Sequence, residues 1–160
     1  MDITLSQKER MLLEDQKTHE QICIEKYTNY ANQAKDTQLK QIFQANAQSE
    51  RTHLDSINQL LSGTIPQMNQ QQSQSPSQPM GSQGSSAGMS QPAGVNFSDA
   101  DMCKDILMTE KYVSGAYNTA IFEFRDTRVR DVLNHIQKEE QKHGEAVFQY
   151  MEKQGMYNVQ

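Results

Sequence analysis

The chain has 160 residues and a formal net charge of −5, enough for one domain or two very small ones and without the basic surplus that nucleic-acid binding requires. No apolar run is long enough to span a bilayer, and the opening MDITLSQKER lacks the apolar core of a secretory signal, so synthesis without a signal peptide is expected. Cys23 and Cys103 form neither a metal-type spacing nor a disulfide framework; both are expected as reduced, buried, small hydrophobes.

The first predicted helix opens at Ser6, which with Glu9 makes a capping box, Leu5 serving as its hydrophobic staple. Lys35-Asp36-Thr37 breaks that helix from a second one, with Asp36 as N-cap. Residues 62–98 follow, rich in Gln, Ser, Gly and Pro and without apolar periodicity. Such a composition cannot bury enough surface to offset its ordering entropy, and a disordered linker is expected. Phe97-Ser98-Asp99-Ala100-Asp101 restarts helix, Arg125-Asp126-Thr127 separates the third helix from the fourth, and Gly155 follows the last. The expectation is an all-α chain: a helical hairpin in residues 1–61, the linker, and a second hairpin in residues 99–160. The two hairpins pack as one antiparallel four-helix bundle with a long crossover.

The two halves are related. An ungapped offset of 90 residues pairs Glu20 with Glu110, Tyr27 with Tyr117, KDTQLKQIF with RDTRVRDVL, Glu50 with Glu140 and His53 with His143. Each helix carries a stripe stepping by three and four residues, the period of bundle packing. The stripes run Leu13 to Ala34, Leu39 to Leu60, Cys103 to Phe124 and Val129 to Tyr150. In the second half they are apolar or aromatic except at Glu110, Glu140 and His143; in the first, Gln16 and Asn46 add polar positions beside Glu20, Glu50 and His53. The first hairpin is accordingly expected to be the more loosely packed.

Glu20 and Glu50 lie equally far from the break near Lys35, and Glu110 and Glu140 equally far from Arg125. At 1.5 Å rise per residue each stands roughly 22 Å from its turn. Hairpins packed level therefore bring four glutamates and two histidines together at mid-bundle. Two unit charges 4 Å apart repel by about 4 kcal/mol at an effective dielectric near 20, so the carboxylates must either take up protons or hold cations. Two divalent ions balance four carboxylates, and mixed carboxylate and imidazole donors suit iron, manganese or zinc better than calcium or magnesium, with iron or manganese the expected pair. Glu20, Glu50-x-x-His53, Glu110 and Glu140-x-x-His143 are the expected ligands. They match the set in which two helices each give a Glu and two others each give Glu-x-x-His, as in ferritin-like di-iron and di-manganese bundles. The competing reading is a metal-free, protonated polar layer.

Glu14, Glu25, Glu123 and Glu139 fall off the stripes and are expected at the surface, as are His19 and His135, which have no repeat counterpart. Tyr27 and Tyr117 lie two turns from Glu20 and Glu110. Aromatic core packing is assigned to them, with hydrogen bonding to a ligand or trapping of an oxidising equivalent as the alternatives.

At LMTEKYVSGAYNTAIFEF and HIQKEEQKHGEAVFQYMEKQGMY the chain resembles the Coat F family of spore coat proteins, over about residues 99–158. The resemblance implies a ferritin-like fold, commonly one helical hairpin, and a place in the spore coat among other coat proteins, with a homodimer left open. The first half then looks like a second, diverged copy that lets one chain complete a four-helix unit. The ligand pattern is also similar to rubrerythrin, bacterioferritin and manganese catalase. Rubrerythrin-type sites carry a further carboxylate three residues after the first on the third helix; Val113 stands there, which argues against a seven-ligand peroxidase of that type. A di-iron or di-manganese oxidase or peroxide scavenger is the enzymatic alternative to a structural coat protein.

Overall fold

Four side chains start the four helices, each by accepting hydrogen bonds from backbone N–H groups that the first turn leaves without partners. Ser6 Oγ accepts from Glu9 N while Glu9 Oε2 accepts from Ser6 N, completing the capping box of α1, Gln7–Gln33. Asp36 caps α2, Thr37–Leu61, through Leu39 N; Ser98 caps α3, Asp99–Ile121, through Asp101 N. Asp126 caps α4, Thr127–Lys153, through Arg128 N. These elements come from a computed structural model that describes residues 3–67 and 97–158.

Two glycines end helices. Gly63 (φ 85°) and Gly155 (φ 68°) adopt the left-handed conformation after α2 and α4. In each case the paired hydrogen bonds of a Schellman motif close the helix: Gly63 N to Leu60 O with Thr64 N to Gln59 O, and Gly155 N to Glu152 O with Met156 N to Met151 O. The third helix is shorter than its stripe suggests. It stops at Ile121, so Phe124 belongs to the turn, yet Phe124 is buried because the turn folds it back onto the core.

The helices form a square in which α1 lies beside α2 and α3, and α4 beside α3 and α2. Neighbours run antiparallel: Lys26 of α1 meets Asp105 early in α3, while Lys8 meets Glu123 just past its end. The close of α2 lies with the start of α1, where Ile3 N donates to Gly63 O. The start of α3 lies at the other end, where Asp99 accepts from Lys35 N and Asp36 N. The connection from α2 to α3 therefore links opposite ends of the bundle, as a long crossover requires. Most of the expected linker falls outside the described residues. Its first part, 62–67, continues along the bundle with Ile65 against the core and Pro66 buried.

Every stripe position predicted from the periodicity is buried. The apolar ones form two clusters. One runs from Leu13, Leu60 and Leu133 to Tyr117; the other gathers Tyr27, Leu39, Phe43, Ile106 and Val147. Each such side chain contributes on the order of 1.5–3 kcal/mol when fully buried. Between them lies one polar layer. The hairpins are also latched crosswise at their ends. Glu9 of α1 accepts from Arg125 N at 3.0 Å and from the Arg125 guanidinium at 3.0 and 3.2 Å, while Asp99 of α3 grips the N–H groups of Lys35 and Asp36 at 3.0 Å. Acid 9 and acid 99 are repeat counterparts, as are the turns they hold.

One expectation is reversed. The first hairpin is the tightly packed one: Gln16 and Asn46 are both buried, and Asn46 Nδ2 donates to Tyr27 Oη at 3.2 Å. The second hairpin instead leaves a groove of about 980 Å³ between α3 and α4. Polar stripe residues did not loosen the packing because they found partners.

Candidate metal centre

The polar layer contains the six expected residues. Glu20 comes from α1, Glu50 and His53 from α2, Glu110 from α3, and Glu140 and His143 from α4; none is more than 4% exposed. The i,i+3 spacing puts each Glu-x-x-His pair on one inward face, one turn apart. The structure brings all six together in two overlapping groups, Glu20, Glu50, His53, Glu140 and Glu50, Glu110, Glu140, His143, with the potential ligand atoms of each group within 4.8 Å of one another. Glu50 and Glu140 are common to both. Glu20 with His53 and Glu110 with His143 are the outer pairs, related by the 90-residue repeat.

Both imidazoles point Nδ1 inward. His53 Nδ1 lies 3.0 Å from Glu50, 3.3 Å from Glu140 and 3.6 Å from Glu20. His143 Nδ1 lies 3.2 Å from Glu50, 3.3 Å from Glu140 and 3.6 Å from Glu110. The rings stack at 5.6 Å between centroids. A ring nitrogen has at most one proton to donate, so three carboxylates around each Nδ1 cannot all be satisfied. Glu20 Oε2, Glu50 Oε1, Glu110 Oε2, both oxygens of Glu140 and His143 Nδ1 have no hydrogen-bond partner. Buried polar groups are otherwise paired almost without exception. Orphaned polar atoms gathered in two overlapping groups are what bound cations would satisfy, and mixed carboxylate and imidazole donors suit divalent metal ions. The residues fit such ions.

Without cations the layer must hold protons. Burial raises the Glu20 carboxyl well above its usual range and raises Glu110 to about 9, in each case against the opposing pull of the neighbouring imidazole. Burial alone would lower both imidazoles. The surrounding carboxylates outweigh it, raising His53 well above its usual value and His143 to about 11. Glu140 faces the same desolvation, but the nearby His143 and His53 imidazoles, each 3.3 Å away, prevail and hold it below the usual carboxylate range.

Tyr27 and Tyr117 do more than fill space. Tyr27 Oη donates to Glu110 Oε1, and Tyr117 Oη donates to Glu20 Oε1. Each tyrosine thus serves the outer glutamate of the opposite hairpin. Both also pack in the apolar clusters as expected, and burial followed by the adjacent carboxylate raises both phenols well above their usual value. The periodicity placed them on the inner face; their crosswise pairing was not in it. Val113, where a further carboxylate is absent, is buried in apolar surroundings. His135, Glu14, Glu25 and Glu123 are exposed. His19 and Glu139 are half-buried rather than exposed: His19 meets the Tyr112 ring edge-on at 5.5 Å, and Glu139 pairs with Lys142 at 2.6 Å. Cys23 and Cys103 are buried free thiols. Among the described residues, no helix is long and apolar enough to cross a membrane.

Comparison with known proteins agrees with this architecture. The model of the Coat F domain matches residues 98–160. The uncharacterized protein YusN of Bacillus subtilis (strain 168) is 32% identical over 69 residues, which is 43% of this chain and 63% of that protein. A solved two-domain protein from Anabaena variabilis, described as containing DJ-1/ThiJ/PfpI-like and ferritin-like domains, superposes with a TM-score of 0.68 at 13% identity. The superposition covers 95% of this chain and 38% of that one, so the likeness is one of fold and spans well under half of the larger protein. The chain has a ferritin-like four-helix fold, and its second hairpin, residues 98–160, is similar to the Coat F domain.

Proposed function

We propose that the protein is a spore-coat-associated bundle that binds two divalent ions, iron or manganese. Glu20 and His53 hold one ion, Glu110 and His143 the other, and Glu50 and Glu140 serve both. The observation that carries this reading is the pair of four-residue groups sharing two glutamates, with their buried oxygens unpartnered. Four carboxylates against two divalent cations leave the layer neutral, which removes the repulsion that otherwise requires protons. Tyr27 and Tyr117 hold the outer glutamates in place, the supporting role that partners beyond the ligands play in metal sites. Coat association is supported by the Coat F match, with other coat proteins as partners.

Elemental analysis of purified protein tests the metal reading, with two ions per chain expected. A Glu50→Ala, Glu140→Ala double variant should retain none. A wild type that carries no metal and shows no rise in melting temperature in iron or manganese would leave a metal-free structural module. Localising a tagged copy in sporulating cells tests the coat assignment; signal that stays in vegetative cytoplasm would overturn it.

A second reading, a di-metal oxidoreductase, is favoured by one observation: phenol hydroxyls touch both outer glutamates. Iron or manganese would supply the redox equivalents. The chain's own residues orient the carboxylates, exclude bulk water and place two tyrosines at the donor atoms. Anaerobic addition of ferrous ions and peroxide decides it: metal oxidation faster than that of free iron is expected, and none beyond free iron would remove the enzymatic reading.

A further inference from the structure

Two glycines stand inside helices where the backbone does not ask for them. Gly115 in α3 and Gly144 in α4 are not among the positive-φ glycines, and glycine within a helix weakens it relative to alanine. Close packing does not require them either. A Cβ at Gly115 would meet nothing within 4 Å, and one at Gly144 only Glu110 Cβ at 3.9 Å. Both instead border the groove of about 980 Å³ between α3 and α4, whose lining includes Glu110 and Glu140. Those two buried glutamates carry three of the orphaned oxygens, Glu110 Oε2 and both of Glu140.

The first hairpin supplies an internal comparison. At the offset of 90 residues, Ser114, Gly115 and Gly144 correspond to Ile24, Glu25 and Leu54, and Ile24 and Leu54 are half-buried. The cavity on the α1–α2 side is about 170 Å³ and reaches none of the six residues of the centre. The one between α1 and α3, about 370 Å³, reaches Cys23 and Val113 but likewise none of the six. Of the two faces related by the repeat, only the α3–α4 one has a groove that reaches the centre.

We infer that the α3–α4 groove is the entry port of the centre, through which a small uncharged or anionic solute reaches the loaded ions past Glu110 and Glu140. Gly115 and Gly144 keep it open. The charge at its mouth selects the solute class: Lys111 and Lys138 line it against Glu145, with Lys142 paired to Glu139, which disfavours a free cation. The inference rests on the metal reading of the six residues.

The test uses azide on the cobalt-loaded full-length protein, read by visible absorption. Gly144→Leu, which copies the other hairpin, and Gly115→Leu should each slow azide association by about tenfold or more at unchanged cobalt content. Thr28→Leu, on the α1–α2 face, should associate at the wild-type rate. Unchanged association in both glycine variants, or equal slowing in Thr28→Leu, overturns the port. Should wild type hold neither cobalt, iron nor manganese, the metal reading fails by itself, and the port is read in metal-free protein. There, diazoacetamide, a small neutral reagent for protonated carboxyls, should esterify Glu110 about tenfold faster than its counterpart Glu20 by peptide mass, and Gly144→Leu should abolish the difference. Equal labelling in wild type overturns the proposal.

Discussion

At the residue scale, the shared glutamates and the outer ones carry different loads. Removing Glu140 takes a donor from both groups, whereas removing Glu20 takes one from a single group. Glu140→Ala is expected to lose both ions and Glu20→Ala to keep about one, a contrast that metal analysis of the two variants resolves. The tyrosines do the same job for the outer glutamates, with Tyr27 also tied to Asn46. Tyr27→Phe and Tyr117→Phe each leave a buried carboxyl without its phenol donor, at a cost of about 1–3 kcal/mol. Drops in metal-free melting temperature with metal stoichiometry retained are expected for both, the larger for Tyr27→Phe, which also leaves Asn46 Nδ2 without its acceptor; an effect from one and none from the other would contradict the crosswise pairing.

At the element scale, the Glu9 latch gives a pH signature. The Arg125 guanidinium, with the turn's backbone N–H, holds the Glu9 carboxyl at about 2, below its ordinary 4.5. A depressed carboxylate stabilises the fold above the unfolded value, and that contribution is lost as pH falls from 4.5 through about 2. Glu9→Gln should cost about 1–3 kcal/mol at neutral pH, and the gap between wild type and variant should close on acidification in parallel urea titrations. The groove glycines act oppositely. Gly115→Ala and Gly144→Ala should each stabilise the bundle by about 0.5–1 kcal/mol, since neither Cβ meets a close neighbour; denaturant midpoints check this.

Much at this scale was legible beforehand, and the reasons are local. Ser6 and Asp36 were legible as caps, and 97–101 and 125–127 as a start and a break, because the side-chain oxygens that serve the next turn, those of Ser98 and Asp126 included, depend on nearby sequence alone. The stripes were legible because helical period and burial are tied, and the six-residue cluster because the two turns fix its height. The crosswise bonds of Tyr27, Tyr117, Glu9 and Asp99 were not legible. They depend on how one hairpin faces the other, and periodicity within a helix carries no such information. The offset did hold a usable signal, acids at 9 and 99 opposite turns at 125 and 35. The packing of the first hairpin was misjudged because polarity at Gln16 and Asn46 was taken for looseness, when missing side-chain volume at Gly115 and Gly144 opens the second instead.

At the scale of the whole molecule, the polar layer joins folding to metal and proton uptake. Ions that bind only the folded chain stabilise it by RT ln(1 + [L]/Kd), about 2.7 kcal/mol at a hundredfold excess over Kd. His143, raised to about 11, and Glu110, raised to about 9, hold protons at pH 7 that ligation must displace. Loading weakly buffered protein should therefore release acid, visible with an indicator dye, and metal affinity should fall as pH is lowered. Loading without proton release would place the ions elsewhere.

The crosswise pattern also says what half of the molecule lacks. A lone second hairpin keeps Glu110, Glu140 and His143 but loses the hydroxyl that serves Glu110 and the acid that grips its Arg125 turn. Its own Tyr117 and Asp99 are the tools the missing half needs, aimed outward with nothing to hold. Such a fragment is its own complement. Two copies about a two-fold axis would each give what the other wants, an isologous pairing, and the single chain reads as that dimer made permanent by a tether.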